Sequence, residues 1–330
     1  MADGKKILVT GAGGFIGSHL VEALLSEGHA VRAFVRYNSN ARRGWLEDVR
    51  PSHPERLETF FGDITDARAV EEAAAGCAVI YHLAALIGIP YSYVAPASYV
   101  SVNVTGTLNV LEAARRHGVE RLLVTSTSEV YGTALFTPIT EEHPLQGQSP
   151  YSATKIGADH LALSYHRAFG LPVTVVRPFN TYGPRQSMRA VIPTIISQAL
   201  FGDAIHIGSR DPVRDMVFVE DTAQGFLALA DSSDCVGKVT NLATGVAITV
   251  GELIEQIQLI VGRQLPVIEA EERKRPGASE VFKLLGSALR AKERANWVPR
   301  VSLLDGLTKT VAWFRQHSDP ALSRPSEYRV

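Results

Sequence analysis

An apolar strand, a glycine-rich turn and an amphipathic helix follow one another in KKILVTGAGGFIGSHLVEALLSEG, and no other stretch restricts the fold as much. The run KKILVT is apolar enough to be covered on both faces. FIGSHLVEALLS repeats apolar residues at i, i+3 and i+4 and stops at Gly28. Between them, Gly11, Gly13, Gly14 and Gly17 permit a tight turn and a close approach of backbone to a pyrophosphate. The helix N-terminus behind them adds N–H donors and partial positive charge. The spacing is G-x-x-G-x-x-G through Gly11, Gly14 and Gly17, because Ile16 stands where the last glycine of G-x-G-x-x-G would fall.

The alternation continues. AVRAFV, RLETFF, AVIYHLA, RLLVTS and LPVTVVRP read as further strands; SVNVTGTLNVLEAARRHG and SATKIGADHLALSYHRAFG read as helices between them. Apolar strands separated by helices predict an α/β fold, a doubly wound parallel sheet covered on both faces. After Pro178 the pattern loosens into a loop (NTYGPRQS), short strands (AIHI, MVFV, KVTNL) and helices (VIPTIISQALFG, DTAQGFLALADS, GELIEQIQLIVG, LLDGLTKTVAWFRQH). The expected division is a dinucleotide-binding Rossmann domain over 1–178 and, over 179–330, mainly a smaller α/β cap, some of whose segments return to the first domain. The ending SDPALSRPSEYRV reads as an irregular tail.

Composition excludes several classes. With a formal net charge of −1 the chain has no basic field for nucleic acid or an anionic membrane. AVIYHLAALIGIP is too short to span a bilayer. Cys77 and Cys235 make neither a metal-type cluster nor a disulfide framework, so no metal is expected and a reducing cytoplasm suits the chain. The start enters strand and glycines at once, which argues against a signal peptide.

For the cofactor, FFGDITD places Asp63 after the third strand to accept from an adenine amine, unless it caps the next helix. The acid that would grip an adenosine ribose is missing from AVRAFVRYN. Arg32 and Arg36 either meet a 2′-phosphate or are solvated, so NAD is expected with NADP left open. For chemistry, Tyr151 and Lys155 in YSATK share one helix face at i, i+4. A phenol of pKa ~10 needs a neighbouring cation to act as a base near neutrality.

TGAGGFIG, HLAA, NVTGT, the Thr127 hydroxyl, YSATK, RPFNTYGPRQ, RDMVFVEDTA and RPGASEVFKLLGSALRAKERANWVPR together resemble the extended short-chain dehydrogenase/reductases, more narrowly the nucleotide-sugar epimerases and dehydratases. The resemblance covers nearly the whole chain. It implies a sugar-nucleotide-binding cap, a homodimer through two long helices (97–117 and 151–169), and a catalytic triad of Thr127, Tyr151 and Lys155. It implies cofactor contacts from Gly11, Gly14, Phe15, Ile16, Gly17, Arg36, Asp63, Ile64, Leu83, Ala84, Ala85, Asn103, Tyr151, Lys155 and Pro178. Substrate contacts would come from Ile87, Tyr93, Asn180, Arg185, Arg214 and Arg275, arginine forks suiting phosphate oxygens. One departure is Ser287, where the family usually has Asp.

TSTSEVYG adds an acid. A 4-epimerase needs only oxidation at C4, rotation of the ketone and return of the hydride. A 4,6-dehydratase must also remove the C5 proton and expel water from C6, which suits a carboxylate at Glu129; proton transfer of this kind contributes typically ~10²–10⁴-fold. Strand alternation puts Thr127 and Glu129 on one side if the extended conformation continues. The alternative is a salt-bridged structural acid. Thr127-Ser128-Glu129 resembles the T-S-E of GDP-mannose 4,6-dehydratases and of UDP-glucuronate decarboxylases, Ser128 replacing the Asp of other dehydratases. LIGIPYSYVAPASYVSVNVTGT and TSEVYGTALFTPITEEHPLQGQSPYSATKIGADHLALSYH resemble bacterial dehydratases of UDP- or GDP-N-acetylglucosamine that lead to legionaminic acid and related sugars. Decarboxylase, 4-epimerase and a non-catalytic dinucleotide-sensing Rossmann protein remain the rivals.

Overall fold

A computed structural model describes residues 6–49, 54–274 and 276–317. Twelve strands are defined among these residues: β1 Lys6–Thr10, β2 Ala30–Arg36, β3 Leu57–Gly62, β4 Cys77–His82, β5 Arg121–Thr125, β6 Val173–Pro178, β7 Asn180–Tyr182, β8 Ile205–Ile207, β9 Val213–Phe218, β10 Lys238–Leu242, β11 Ala247–Thr249 and β12 Val267–Glu269. Seven make one sheet in the order β10-β6-β5-β4-β1-β2-β3, every pair parallel. Its inner strands are apolar on both faces, with Leu8, Val9, Ile80, Tyr81, Leu122, Leu123, Val175 and Val176 buried in two cores, one per face. This is the doubly wound Rossmann arrangement. The strand order reverses between β1 and β4, and such a switch point opens a crevice at the strands' C-terminal ends.

The segments after Pro178 divide between two places. Strand β10 (KVTNL) joins the main sheet beside β6, and helix Val219–Asp231 packs on helix Phe15–Ser26. The remainder forms the cap: β11-β9-β7, the pair β12-β8, and helices Val191–Phe201, Val250–Val261 and Leu303–His317 around a third core. Asp215 of β9 fastens it. Its fully buried carboxylate accepts from Thr244 N (2.8 Å), Thr244 Oγ1 (2.6 Å), Gly245 N (2.9 Å) and Gly286 N (3.2 Å). Four donors offset the cost of burying the charge.

Two local expectations change. The long helix before β5 opens with a π-helical segment, Val100–Thr105, before the α-helix Gly106–His117. Asp66, not Asp63, caps the helix Ala67–Ala74, accepting from Arg68 N and Ala69 N. No helix among the described residues is long and apolar enough to cross a membrane. The tail 318–330 lies outside the described residues.

Candidate active site

The crevice is built from the ends of β1, β4 and β5. Gly11 has φ +70°, and a Cβ there would lie 2.8 Å from Ala84 N, so the turns after β1 and β4 touch. At Gly17 a Cβ would collide with the Gly11 carbonyl, which lets helix Phe15–Ser26 start directly beneath the turn. Its N-cap, Gly14, is exposed and places no side chain over the first N–H groups. A backbone-lined cradle at a helix N-terminus fits a dinucleotide pyrophosphate. Phe15 and Ile16 are partly buried and pack on the cap's core, Ile16 also on a core of the main sheet.

Behind the cradle, buried His82 ties three elements together. Thr10 Oγ1 accepts from Leu83 N and Ala84 N (3.2 Å each), and so donates to His82 Nδ1 (2.8 Å). His82 Nε2–H then donates to Thr107 Oγ1 (3.0 Å), whose hydroxyl donates to Asn103 O (2.7 Å). Burial and the charge of Lys155 push His82 down to about 3, so the ring is neutral. Asn103 uses its amide inside the protein: Leu86 N donates to its Oδ1 (2.8 Å), and its Nδ2 donates to Leu86 O and Thr154 Oγ1 (3.0 Å each). It thereby joins the turn 83–86, which holds Leu83, Ala84 and Ala85, to the helix carrying Tyr151.

Helix Pro150–Phe169 starts at a capping box formed by Ser149 and Ser152, which fixes its first turn. Tyr151 lies on that turn and Lys155 one turn further on, and both are buried, 7% and 3% exposed. Thr127 lies within reach of the Tyr151 phenol, and Tyr99 packs edge-on against the Tyr151 ring at 6.3 Å. Burial holds the phenol well above its ordinary range, a shift opposed by Thr127 and reinforced by the charge of Glu129. Lys155 is pushed down to about 8 by burial, with Asp159 opposing.

The extended conformation ends at Thr127. This residue caps the 3₁₀ turn Ser128–Tyr131, its Oγ1 accepting from Glu129 N at 3.2 Å. Glu129 (8% exposed) and Ser128 (2%) are therefore set by a turn rather than by strand alternation. Glu129 still lies within electrostatic reach of Tyr151.

A buried polar unit that the sequence reading missed stands behind the triad. Asp159 Oδ2 accepts from Ser126 Oγ (2.8 Å), Arg177 Nε (3.0 Å) and Arg177 Nη2 (2.9 Å). Arg177 Nη1 donates to Tyr131 OH (3.0 Å), which donates to Asn241 Oδ1 (2.7 Å). The signal available was spacing, since Asp159 follows Lys155 by four residues on one helix face.

The remaining expected residues sit as follows. Asp63 is exposed and accepts from Thr65 N (2.9 Å) and Thr65 Oγ1 (2.7 Å); Ile64 is buried against Gly106; Pro178 ends β6. Asn180, at the start of β7, has its Oδ1 buried without a hydrogen-bond partner, an acceptor that a ligand can satisfy. Arg185, at φ +69°, grips Glu22 with both Nη atoms (2.6 and 2.9 Å) and so ties the cap loop to the first helix. Arg214 is 7% exposed and lies 3.4 Å from Glu280. Ile87 is 66% exposed; Tyr93 OH meets Ser279 Oγ at 2.5 Å. Arg275 lies outside the described residues. Ser287, the family departure, takes over the local turn: Leu289 N donates to its Oγ (3.3 Å). No cluster of metal-ligating side chains occurs among the described residues.

Sheet, glycine turn and the Thr-Tyr-Lys constellation define an NAD-dependent short-chain dehydrogenase/reductase of the epimerase/dehydratase kind. The chain belongs to the GDP-mannose 4,6-dehydratase family, whose model matches residues 8–310. It is 36% identical over 317 residues to a dTDP-glucose 4,6-dehydratase of Actinoplanes sp., covering 94% of this chain and 98% of the relative. It is 34% identical over 320 residues to a UDP-glucose 4-epimerase of Mycolicibacterium smegmatis, covering 95% and 99%. A dTDP-glucose 4,6-dehydratase from Streptomyces venezuelae, solved with NAD bound, superposes with TM-score 0.86 at 30% identity, covering 94% and 97%.

Proposed function

We propose that the chain is a nucleotide-sugar 4,6-dehydratase that converts UDP- or GDP-N-acetylglucosamine to the 4-keto-6-deoxy sugar with NAD as resident cofactor. The observation that carries this reading is Glu129, a nearly buried acid two residues beyond Thr127 and within electrostatic reach of Tyr151. A simple epimerase has no task for it. The dehydratase relatives support the reaction type, and the sequence likeness of 86–107 and 127–166 supports the acetamido sugar.

The glycine cradle, the turn 83–86 and Lys155 would hold the dinucleotide. Bound NAD supplies a hydride acceptor at C4 and returns that hydride at C6. Thr127 and Tyr151 hold the sugar 4-hydroxyl, and Tyr151 takes its proton as C4 becomes a ketone. Lys155, as an ammonium, stabilises the phenolate. Glu129 would then remove the C5 proton, made acidic by the ketone, and pass it to the departing C6 hydroxyl, which leaves as water; once hydride has returned to C6, the C5 enolate takes the proton held by Tyr151, which restores the phenolate. Asn180 offers its unsatisfied carbonyl to the nucleotide sugar. Pairing of two chains suits helices that expose small uncharged residues, Ala97, Ser101 and Thr105 on one and Ala153 on the other.

The test is incubation with UDP- and GDP-N-acetylglucosamine, dTDP-glucose, UDP-glucose and UDP-glucuronate, followed by product masses. Loss of one water from an N-acetylglucosamine nucleotide is expected. Water lost only from dTDP-glucose moves the substrate. An isobaric product means epimerisation, and loss of carbon dioxide means decarboxylation. No turnover despite bound cofactor favours a sensor.

A further inference from the structure

The 3₁₀ turn Ser128–Tyr131 that carries Glu129 is loosely closed by its own backbone. Val130 N lies 3.5 Å from Thr127 O, and Gly132 N lies 3.3 Å from Glu129 O. Both bonds are long for N–H to O and hold the turn weakly. Two glutamines from the segment before helix Pro150–Phe169 supply firmer bonds. Gln146 N donates to Val130 O (2.8 Å), and its Nε2 donates to Tyr131 O (3.0 Å) and Thr133 O (3.3 Å). Gln148 Oε1 accepts from Thr133 N at 2.6 Å. The two side chains meet over Gly132, which has φ +65°. A Cβ there would lie 2.6 Å from Gln148 Oε1 and 2.9 Å from Gln146 Cβ, so the close approach requires glycine.

Gln148 also reaches the cap. Its Nε2 donates to Ala278 O (3.3 Å), and its carbonyl accepts from Ser279 Oγ (2.5 Å). With that hydroxyl proton committed, Tyr93 OH is the donor in its contact with Ser279 Oγ. Thr133 Oγ1 lies 3.4 Å from Glu280 O. The Glu129 turn, the loop of Tyr93 and cap residues 278–280 thus converge on one residue. Thr127, Tyr151 and Lys155 are held by other means. Ser126, just before Thr127, donates from N to Val176 O (2.7 Å) and from Oγ to Asp159. The helix of Tyr151 and Lys155 starts from the Ser149–Ser152 capping box, in which the Gln148 side chain has no part.

We propose that Gln146 and Gln148 are positioning residues for the elimination step: they hold the turn of Glu129, and Gln148 sets it against the cap. The inference rests on the reading of Glu129 as the base of a dehydratase. A general base acts only within hydrogen-bond reach of its proton, so a turn that loosens slows proton removal at C5 and leaves oxidation at C4 alone.

The test is a single turnover of the NAD-loaded full-length protein with UDP- or GDP-N-acetylglucosamine, whichever the parent dehydrates. Nicotinamide absorbance and product mass are followed together. Gln146→Met and Gln148→Met should each slow loss of water roughly tenfold, the size of one lost hydrogen bond. Reduced cofactor should still appear at the parent's rate and should linger. Gln148→Glu keeps an oxygen for Thr133 N and should recover most of the lost rate. Loss of water at the parent's rate in both Met variants overturns the proposal. So does an equal slowing of cofactor reduction and water loss, which marks a general structural role, or a Gln148→Glu no faster than Gln148→Met. Glu129→Gln, run alongside, separates the two failures. If it stalls while the Met variants do not, the positioning role falls alone. If it eliminates at the parent's rate, or the parent removes water from neither nucleotide, the dehydratase reading falls and this inference with it.

Discussion

Burying the Lys155 ammonium has a thermodynamic cost that a single substitution can expose. The side chain is 3% exposed and its pKa falls from an ordinary 10.5 to about 8, burial being the larger cause and Asp159 the opposing one. A displacement of that size corresponds to about 3 kcal/mol. For an amine whose folded pKa is depressed, the penalty is fully present while both states are protonated, below pH ~8. Between about 8 and 10.5 the unfolded chain holds the extra proton, so stability rises with pH as the penalty is relieved. Lys155→Met keeps the stem and removes the charge, and Asp159 retains Arg177. On cofactor-free protein, urea unfolding should find Lys155→Met more stable by up to ~3 kcal/mol at pH 7. The difference should shrink towards zero by pH 10.5. Other groups titrate in this window, and subtraction of the two curves removes them. A variant less stable than the parent at pH 7, or a difference independent of pH, refutes the reasoning.

Asp159→Asn should move the alkaline limb of transient cofactor reduction to lower pH, because the carboxylate is what holds Lys155 up. The same change strands a buried guanidinium and should cost about 3 kcal/mol or more in urea unfolding; an unmoved limb would assign Asp159 a purely structural role. Arg185→Ala should destabilise the chain by about 1 kcal/mol through loss of the Glu22 pair and leave KM for the nucleotide sugar unchanged. A tenfold rise in KM at unaltered stability would instead put Arg185 on the substrate.

What could be read from the sequence was what is local. The glycine turn, the strand–helix alternation and Tyr151–Lys155 each depend on a few neighbouring residues whose conformation the chain sets by itself. The rest depends on partners far apart in sequence. Arg177 meets Asp159, Glu22 meets Arg185, and β10 pairs with β6 from beyond the first cap strands β7, β8 and β9. Competition between local bonds explains two further differences. The Thr127 hydroxyl captures Glu129 N and turns the strand end into a 3₁₀ turn, and Asp66 outcompetes Asp63 for the helix N-terminus because it stands next to the first helical residue. His82 was visible in HLAA, but its role as a neutral hub needs Thr10 and Thr107, which the fold alone brings to it.

The measurement that bears most directly on the proposed chemistry is a single-turnover comparison of Glu129→Gln with the unaltered protein on its sugar nucleotide. Nicotinamide absorbance and product mass would be followed together. The replacement keeps the shape of the side chain and removes its ability to take a proton. Oxidation at C4 uses Thr127, Tyr151 and Lys155 and should proceed, so the reduced cofactor should appear and persist. Elimination of water should slow by ~10²–10⁴-fold. Dehydration by Glu129→Gln at the parent's rate would contradict the account.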